Sequence, residues 1–127
     1  MSDEKKKATV ENYVRAYNSF DIERMLADLH DRIIFKNISN GEMTLETKGI
    51  EAFQDQAQQV VSLFTEREQK INNFSFSEDR CEIEIDFQAT LAADLPNGLK
   101  AGDKIELKGR SIFRFWGDKI AEIQDIS

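Results

Sequence analysis

Cys81-Glu-Ile-Glu-Ile-Asp-Phe-Gln-Ala-Thr-Leu91 alternates without a break, with Ile83, Ile85, Phe87, Ala89 and Leu91 on one side and Glu82, Glu84, Asp86, Gln88 and Thr90 on the other. Alternation of this length predicts a strand with one face on a core and one in water. The period holds in both directions. Upstream, Phe74 and Phe76 precede a turn at Ser77-Glu-Asp-Arg80. Downstream, Leu95-Pro-Asn-Gly-Leu99 reads as a hairpin connection. Beyond it Ile105, Leu107, Gly109, Ser111, Phe113 and Phe115 share a face, and Gly117-Asp118 turns the chain into a last strand from Lys119 to Ile126.

The first half of the chain has another period. Val10, Tyr13, Val14 and Tyr17 form the stripe of an amphipathic helix. Asp21 offers an N-cap, after which Ile22, Met25, Leu26 and Leu29 repeat the spacing to about His30-Asp31. At Arg32 the period changes to that of a strand carrying Ile33, Phe35 and Asn37 on one parity, followed by a turn or short ribbon around Gly41. A third helix is predicted from about Ile50 to Thr65, with Ile50, Phe53, Ala57, Val60, Val61 and Phe64 on one face. Helices first, then a long meander, predict an α+β domain: three N-terminal helices packed in the concave face of a curved, mostly antiparallel sheet.

The 127 residues suit a single domain, 1–127, with nine Phe residues as core material. A net charge of −7 is a poor match to nucleic acid or an anionic membrane, so neither is expected as a partner. No apolar run approaches the ~18 residues of a membrane span. The charged Met1-Ser-Asp-Glu-Lys-Lys-Lys7 start has no apolar stretch behind it. It reads as a solvated helix start rather than a signal peptide, and a cytoplasmic protein is expected. The lone Cys81 and lone His30 make neither a disulfide, a zinc site nor a nucleophile pair by spacing, and no motif implies a metal or organic cofactor.

Polar residues on core parity are the informative ones. Asn37 goes with Ile33 and Phe35, Ser111 with Phe113 and Phe115, Asp125 with Ala121 and Ile123, and Tyr13 lies mid-stripe on the first helix. A buried polar group without a partner costs about 1–3 kcal/mol, so these side chains either satisfy one another or line a cavity. Each also has an ordinary reading: a rim tyrosine, a small core serine, a strand-end asparagine and a carboxylate close to the chain's end. Four such coincidences favour the cavity, walled by Phe35, Phe53 and Phe113. The Glu82, Glu84 and Asp86 row reads as a solvated stripe or, with three carboxylates, a place for a hard cation.

Several words in this sequence, taken with the element order, resemble the nuclear transport factor 2-like superfamily. They are Tyr13 to Asn37 with Phe20-Asp-Ile-Glu23, Lys48-Gly-Ile-Glu-Ala-Phe53, and Ser111-Ile-Phe-Arg-Phe115 with Asp118-Lys-Ile120. The superfamily includes ketosteroid isomerase, the SnoaL-like polyketide cyclases and limonene-epoxide hydrolase. The resemblance implies a bent sheet around three helices, a conical apolar pocket and, as a rule, a homodimer; Ile112 and Trp116 on the outward parity are the expected dimer face.

Carried over residue by residue, the resemblance narrows the chemistry. Ketosteroid isomerase uses an Asp base, a helix-one Tyr and a protonated Asp. Tyr13 is kept here, but Asn37 stands at the base and Ser111 at the acid, and an amide cannot abstract a proton. Against limonene-epoxide hydrolase, Asn37, Asp86 and Asp125 match the water-holding Asn and the two Asp residues. Phe35 replaces that family's Tyr and Glu84 its Arg. Alternation puts Asp86 on the polar face; it looks into the pocket only if Ile83, Ile85 and Phe87 pack in a dimer interface. Two readings follow. One is a SnoaL-like cyclase, isomerase or hydrolase of an apolar small molecule, with Asp125 as acid/base and Asn37 and Asp86 beside it. The other is a non-catalytic ligand-binding or dimerisation module of the same fold.

Overall fold

A computed structural model describes all of residues 1–127. Its first helix, α1 (Asp3–Asn18), starts about two turns before the apolar stripe that opens at Val10, because Ser2 caps it by accepting from the Lys5 amide at 3.1 Å. Lys6 is not solvated as expected: it is buried, with its ammonium donating to the Ser77 carbonyl at 2.7 Å and to Asp3 at 3.2 Å. The aliphatic stem of a lysine can be buried where its head finds oxygens, and here it ties the helix start to the far end of a strand.

Asp21 caps α2 (Ile22–Ala27) as the sequence predicts, accepting from the Arg24 amide at 3.1 Å. The helix stops short of His30 because Leu29 already belongs to β1 (Leu29–Ser39), where it is buried and paired with Ile120 of the last strand. The ribbon around Gly41 is β2 (Glu42–Lys48). Gly49, at φ 92°, then turns the chain into α3 (Ile50–Val61). This helix is four residues shorter than its periodicity suggests. Phe64 pairs with Leu91, so sheet formation takes over the tail of the helical pattern.

The remaining strands are β3 (Phe64–Ser77), β4 (Arg80–Leu91), β5 (Lys104–Trp116) and β6 (Lys119–Ile126). The six-stranded sheet runs β2-β1-β6-β5-β4-β3, antiparallel throughout except for the parallel β1–β6 pair. Bulges bend and twist it. One between Ile71 and Asn73 shifts β3's inward parity from Arg67, Gln69 and Ile71 to Phe74 and Phe76. Another, between Arg114 and Phe115 in the β5–β6 pairing, lets both Ile120 and Ile123 reach the core. The three helices and the inner face of this mixed, mostly antiparallel sheet enclose one apolar core, with Val10, Ile33, Ile83, Phe113, Ile120 and Ile123 almost fully shielded.

The outer face differs from expectation in two places. Ile112 is buried within the single chain, and Leu107, expected inside, is exposed where β5 runs past the core. Trp116 does project, 65% exposed, with its ring stacked on His30 at 5.0 Å.

Candidate functional site

Where α1 and α3 lie over the sheet, the core does not close, leaving a cavity of about 360 Å³. Tyr13 and Tyr17, one turn apart on α1, supply one wall. Phe53 of α3 and Phe35 of β1 supply a second, their rings edge-to-face at 5.7 Å. Asn37 of β1 and Asp125 of β6 sit side by side in the parallel register. A second cavity, of about 260 Å³, shares Tyr17, Asn37 and Asp125 and is also lined by Gln69 and Ser111. Asp125 therefore stands on the wall common to both.

Of the residues predicted for the site, Tyr13, Phe35, Asn37, Phe53 and Asp125 meet at the larger cavity. Ser111 lies behind them: it is 1% exposed, pairs with Asp125 across the β5–β6 ladder and donates its hydroxyl to Asp125 Oδ1 at 2.7 Å. Phe113 is one layer deeper, fully buried with Tyr13 edge-on to it at 5.7 Å. Asp86 is not brought to the site. β4 turns it to the outer face, opposite Lys108 at 4.0 Å, because Ile83 and Ile85 on the other parity fill this chain's own core. Its neighbour Glu82 likewise pairs with Arg110 at 3.2 Å. These carboxylates form a solvated, cation-balanced surface.

Burial fixes the protonation states around the cavity. The Asp125 carboxyl is pushed up from 3.8 to about 6 by loss of water, with the Ser111 hydrogen bond pulling the other way. Tyr13 is raised well above 10, by burial first and then by the Asp125 charge, so its hydroxyl keeps its proton. Tyr17 rises to about 12 by burial, although Arg67 and Gln69 both favour its ionised form. Asn37 spends its amide nitrogen on Thr44 Oγ1 at 2.8 Å and Ser39 Oγ at 3.3 Å, leaving its amide oxygen for anything else. The result is one carboxyl that changes charge near neutrality, between neutral hydroxyl donors and apolar rings.

Two residues of this region were not singled out in the sequence. Arg67 of β3 lines the larger cavity while only 5% exposed, and Gln69 of the same strand lines the smaller one with its Oε1 buried and unpartnered. Their signal was a cation and an amide on the parity that leads to Ile71, hidden because the third helix was read through Thr65.

A bent mixed sheet closed over three helices, with its polar side chains gathered in the cone, defines a nuclear transport factor 2-like protein. The sequence matches the SnoaL-like domain over residues 10–123, and the chain belongs to that family. Among solved structures it is similar to a candidate polyketide cyclase from Xanthomonas campestris pv. campestris, with TM-score 0.84, 18% identity and coverage of 98% of this chain and 90% of that one. A cystatin-fold protein from Novosphingobium aromaticivorans is similar at TM-score 0.74, 14% identity and coverage of 94% and 96%. TerC, co-crystallised with polyporic acid, is similar at TM-score 0.76, 14% identity and coverage of 96% and 90%. At such identities these likenesses speak of the fold. No curated protein matches the sequence significantly. No helix is long and apolar enough to cross a membrane.

Proposed function

We propose that this protein binds an apolar small molecule in the cavity beside Asp125 and that Asp125 moves a proton on it, as a cyclase or isomerase of the SnoaL-like type would. The carrying observation is a carboxyl pushed up to about 6 against aromatic walls. A base of that strength is largely ionised at pH 7 yet still basic enough to work. It takes a proton from the carbon next to a ligand carbonyl, and the C–H electron pair moves into the carbonyl as an enolate. The protonated Tyr13 hydroxyl is on hand to donate to that oxygen. The enolate carbon then either adds to a second carbonyl carbon of the same ligand, whose C=O π pair moves onto oxygen and takes the proton back from the Asp125 carboxyl, or is reprotonated at another carbon by that carboxyl. The hydrolase branch finds no support: it needs Asp86 and a bridging cation in the cavity, whereas Asp86 faces outward and Glu84 stands in the cation's place. The polyketide-cyclase and polyporic-acid relatives support a small-molecule site in a cone of this shape.

Hydrogen–deuterium exchange tests the proton step without the native substrate. With 2-tetralone in D2O, the expected result is exchange above the buffer rate, rising through pH 6 and absent in Asp125→Asn. Exchange at the buffer rate with the ketone bound overturns the catalytic reading and leaves a non-catalytic binding module. Of the two residues of the expected dimer face only Trp116 is exposed, since Ile112 is already covered. Sedimentation at micromolar concentration should show twice the 14.6 kDa chain mass, and the single-chain mass contradicts it.

A further inference from the structure

Arg67 is a buried cation with no carboxylate partner. Its Nε donates to the Tyr17 carbonyl at 2.8 Å, in the last turn of α1, and its guanidinium carbon lies 3.7 Å from the Tyr17 ring centre and 4.6 Å from that of Phe20. Those contacts fix the stem and one edge of the fork, and a helix C-terminus welcomes a cation. They do not use the fork's capacity of five donors. Beyond Tyr17's own carbonyl and hydroxyl, the remaining protein partner is the Met25 thioether, with the sulfur 3.9 Å from Nη2. No Asp or Glu forms an ion pair with it, although 24 are present in the chain and exposed cations such as Arg110 and Arg114 do have one. Buried charges are as a rule paired, because losing water costs several kcal/mol per ion by general estimates.

The cavity is where the missing charge fits. Arg67 lines it together with Asp125, and Tyr13 and Tyr17 on the same lining each feel both charges. Arg67 is not among the groups that shift Asp125. Two strands, β5 and β4, lie between the one that carries Asp125 and the one that carries Arg67, so the cavity has an acid/base end and a cationic end. We propose that Arg67 anchors a carboxylate on the ligand, so that the protein's small molecule is an aromatic or alicyclic acid rather than a neutral hydrocarbon-like compound. A planar carboxylate accepts two parallel N–H bonds from a guanidinium fork. Held at that end, the ligand presents its far portion to Asp125. The overall charge of −7 gives no long-range help to an anion, so recognition is local to this one side chain.

This inference rests on the cavity being a ligand site, and a matched pair of probes separates the two claims. The probes are 2-naphthoate and 2-naphthamide, equal in shape and different in charge, titrated at pH 7.5 with amide chemical shifts of labelled protein as the readout. Wild-type protein should bind the acid about ten- to a hundredfold tighter than the amide, the ratio a charge-assisted hydrogen bond gives. The larger shifts should fall at Arg67 rather than Asp125. Arg67→Met should erase the preference, bringing the acid-to-amide ratio to about one whatever the variant does to the affinity for both. Arg67→Lys, a point charge without the fork, should restore only part of it. A purely structural Arg67 would lower the melting temperature of both variants and leave the wild-type preference at unity. Equal or weaker binding of the acid by wild-type protein, a ratio that needs no variant to fold, overturns the carboxylate anchor while leaving the cavity a ligand site. Binding of neither probe overturns the ligand site itself, and the anchor with it.

Discussion

Replacing Asp125 by Asn should make the protein more stable at neutral pH, and by an amount that grows with pH. In the folded chain the carboxyl titrates near 6 against 3.8 when solvated, so between those values the native state holds a proton that the unfolded chain has released. Stability therefore falls as pH rises from about 4 to about 6, and the whole loss is present above that window. A shift of this size corresponds to about 3 kcal/mol at most; the side chain is only half-buried, and solvent screening brings the expected penalty to about 1–2 kcal/mol. Asn keeps an oxygen for the Ser111 hydroxyl and never ionises. Its own cost is independent of pH. The assay is urea unfolding of both proteins at pH 4.0 and 7.5, on either side of the isoelectric point near 4.8. The Asn variant should gain about 1–2 kcal/mol on wild type between the two, about 3–8 °C in melting temperature for a domain of this size. A difference that stays constant with pH, or that favours wild type more at pH 7.5, refutes the reasoning.

Three further outcomes follow from the same geometry. Ser111→Ala removes the hydroxyl that favours the ionised carboxyl, so the Asp125 midpoint should climb about 1–2 units further, read by carboxyl NMR; an unchanged midpoint contradicts the hydrogen bond's role. Gly109→Ala would put a Cβ 2.7 Å from the Ile126 carbonyl oxygen. It should lower stability by about 1–3 kcal/mol, seen as a lower urea midpoint with an unchanged slope. With Asn37 and Ser111 standing where ketosteroid isomerase has carboxyls, a 3-oxo-Δ5-steroid should isomerise only at the buffer rate, and measurable turnover would contradict that residue mapping.

Strand alternation and helical stripes carried the architecture, and they misled where tertiary pairing overruled a local period. The α3 stripe continues to Phe64 in sequence, yet Leu91 across the sheet claims that residue for a strand. Lys6 looks solvated in a run of three lysines, and only the fold brings the Ser77 carbonyl to its ammonium. Core parity found Tyr13, Asn37 and Asp125 because their strand and helix neighbours are strongly apolar. It could not rank depth, so Phe113 was placed on the cavity wall when it lies behind it, and Ser111 lines the smaller cavity rather than the larger. Parity also put Asp86 on the polar side of β4, where it lies; only the borrowed hydrolase pattern drew it inward. Arg67 was missed for a physical reason: a cation on an inward parity is legible only once the strand's start is known, and the bulge after Ile71 breaks the period that would reveal it.

The account turns on the protonation of Asp125, and a site-resolved carboxyl 13C NMR titration of the unliganded wild-type protein measures it directly. A midpoint near 6 for Asp125, absent from the spectrum of Asp125→Asn, is the predicted result. A midpoint at or below 4 would mean a carboxylate in contact with bulk water, and would contradict its role as the proton-moving group of an apolar cavity.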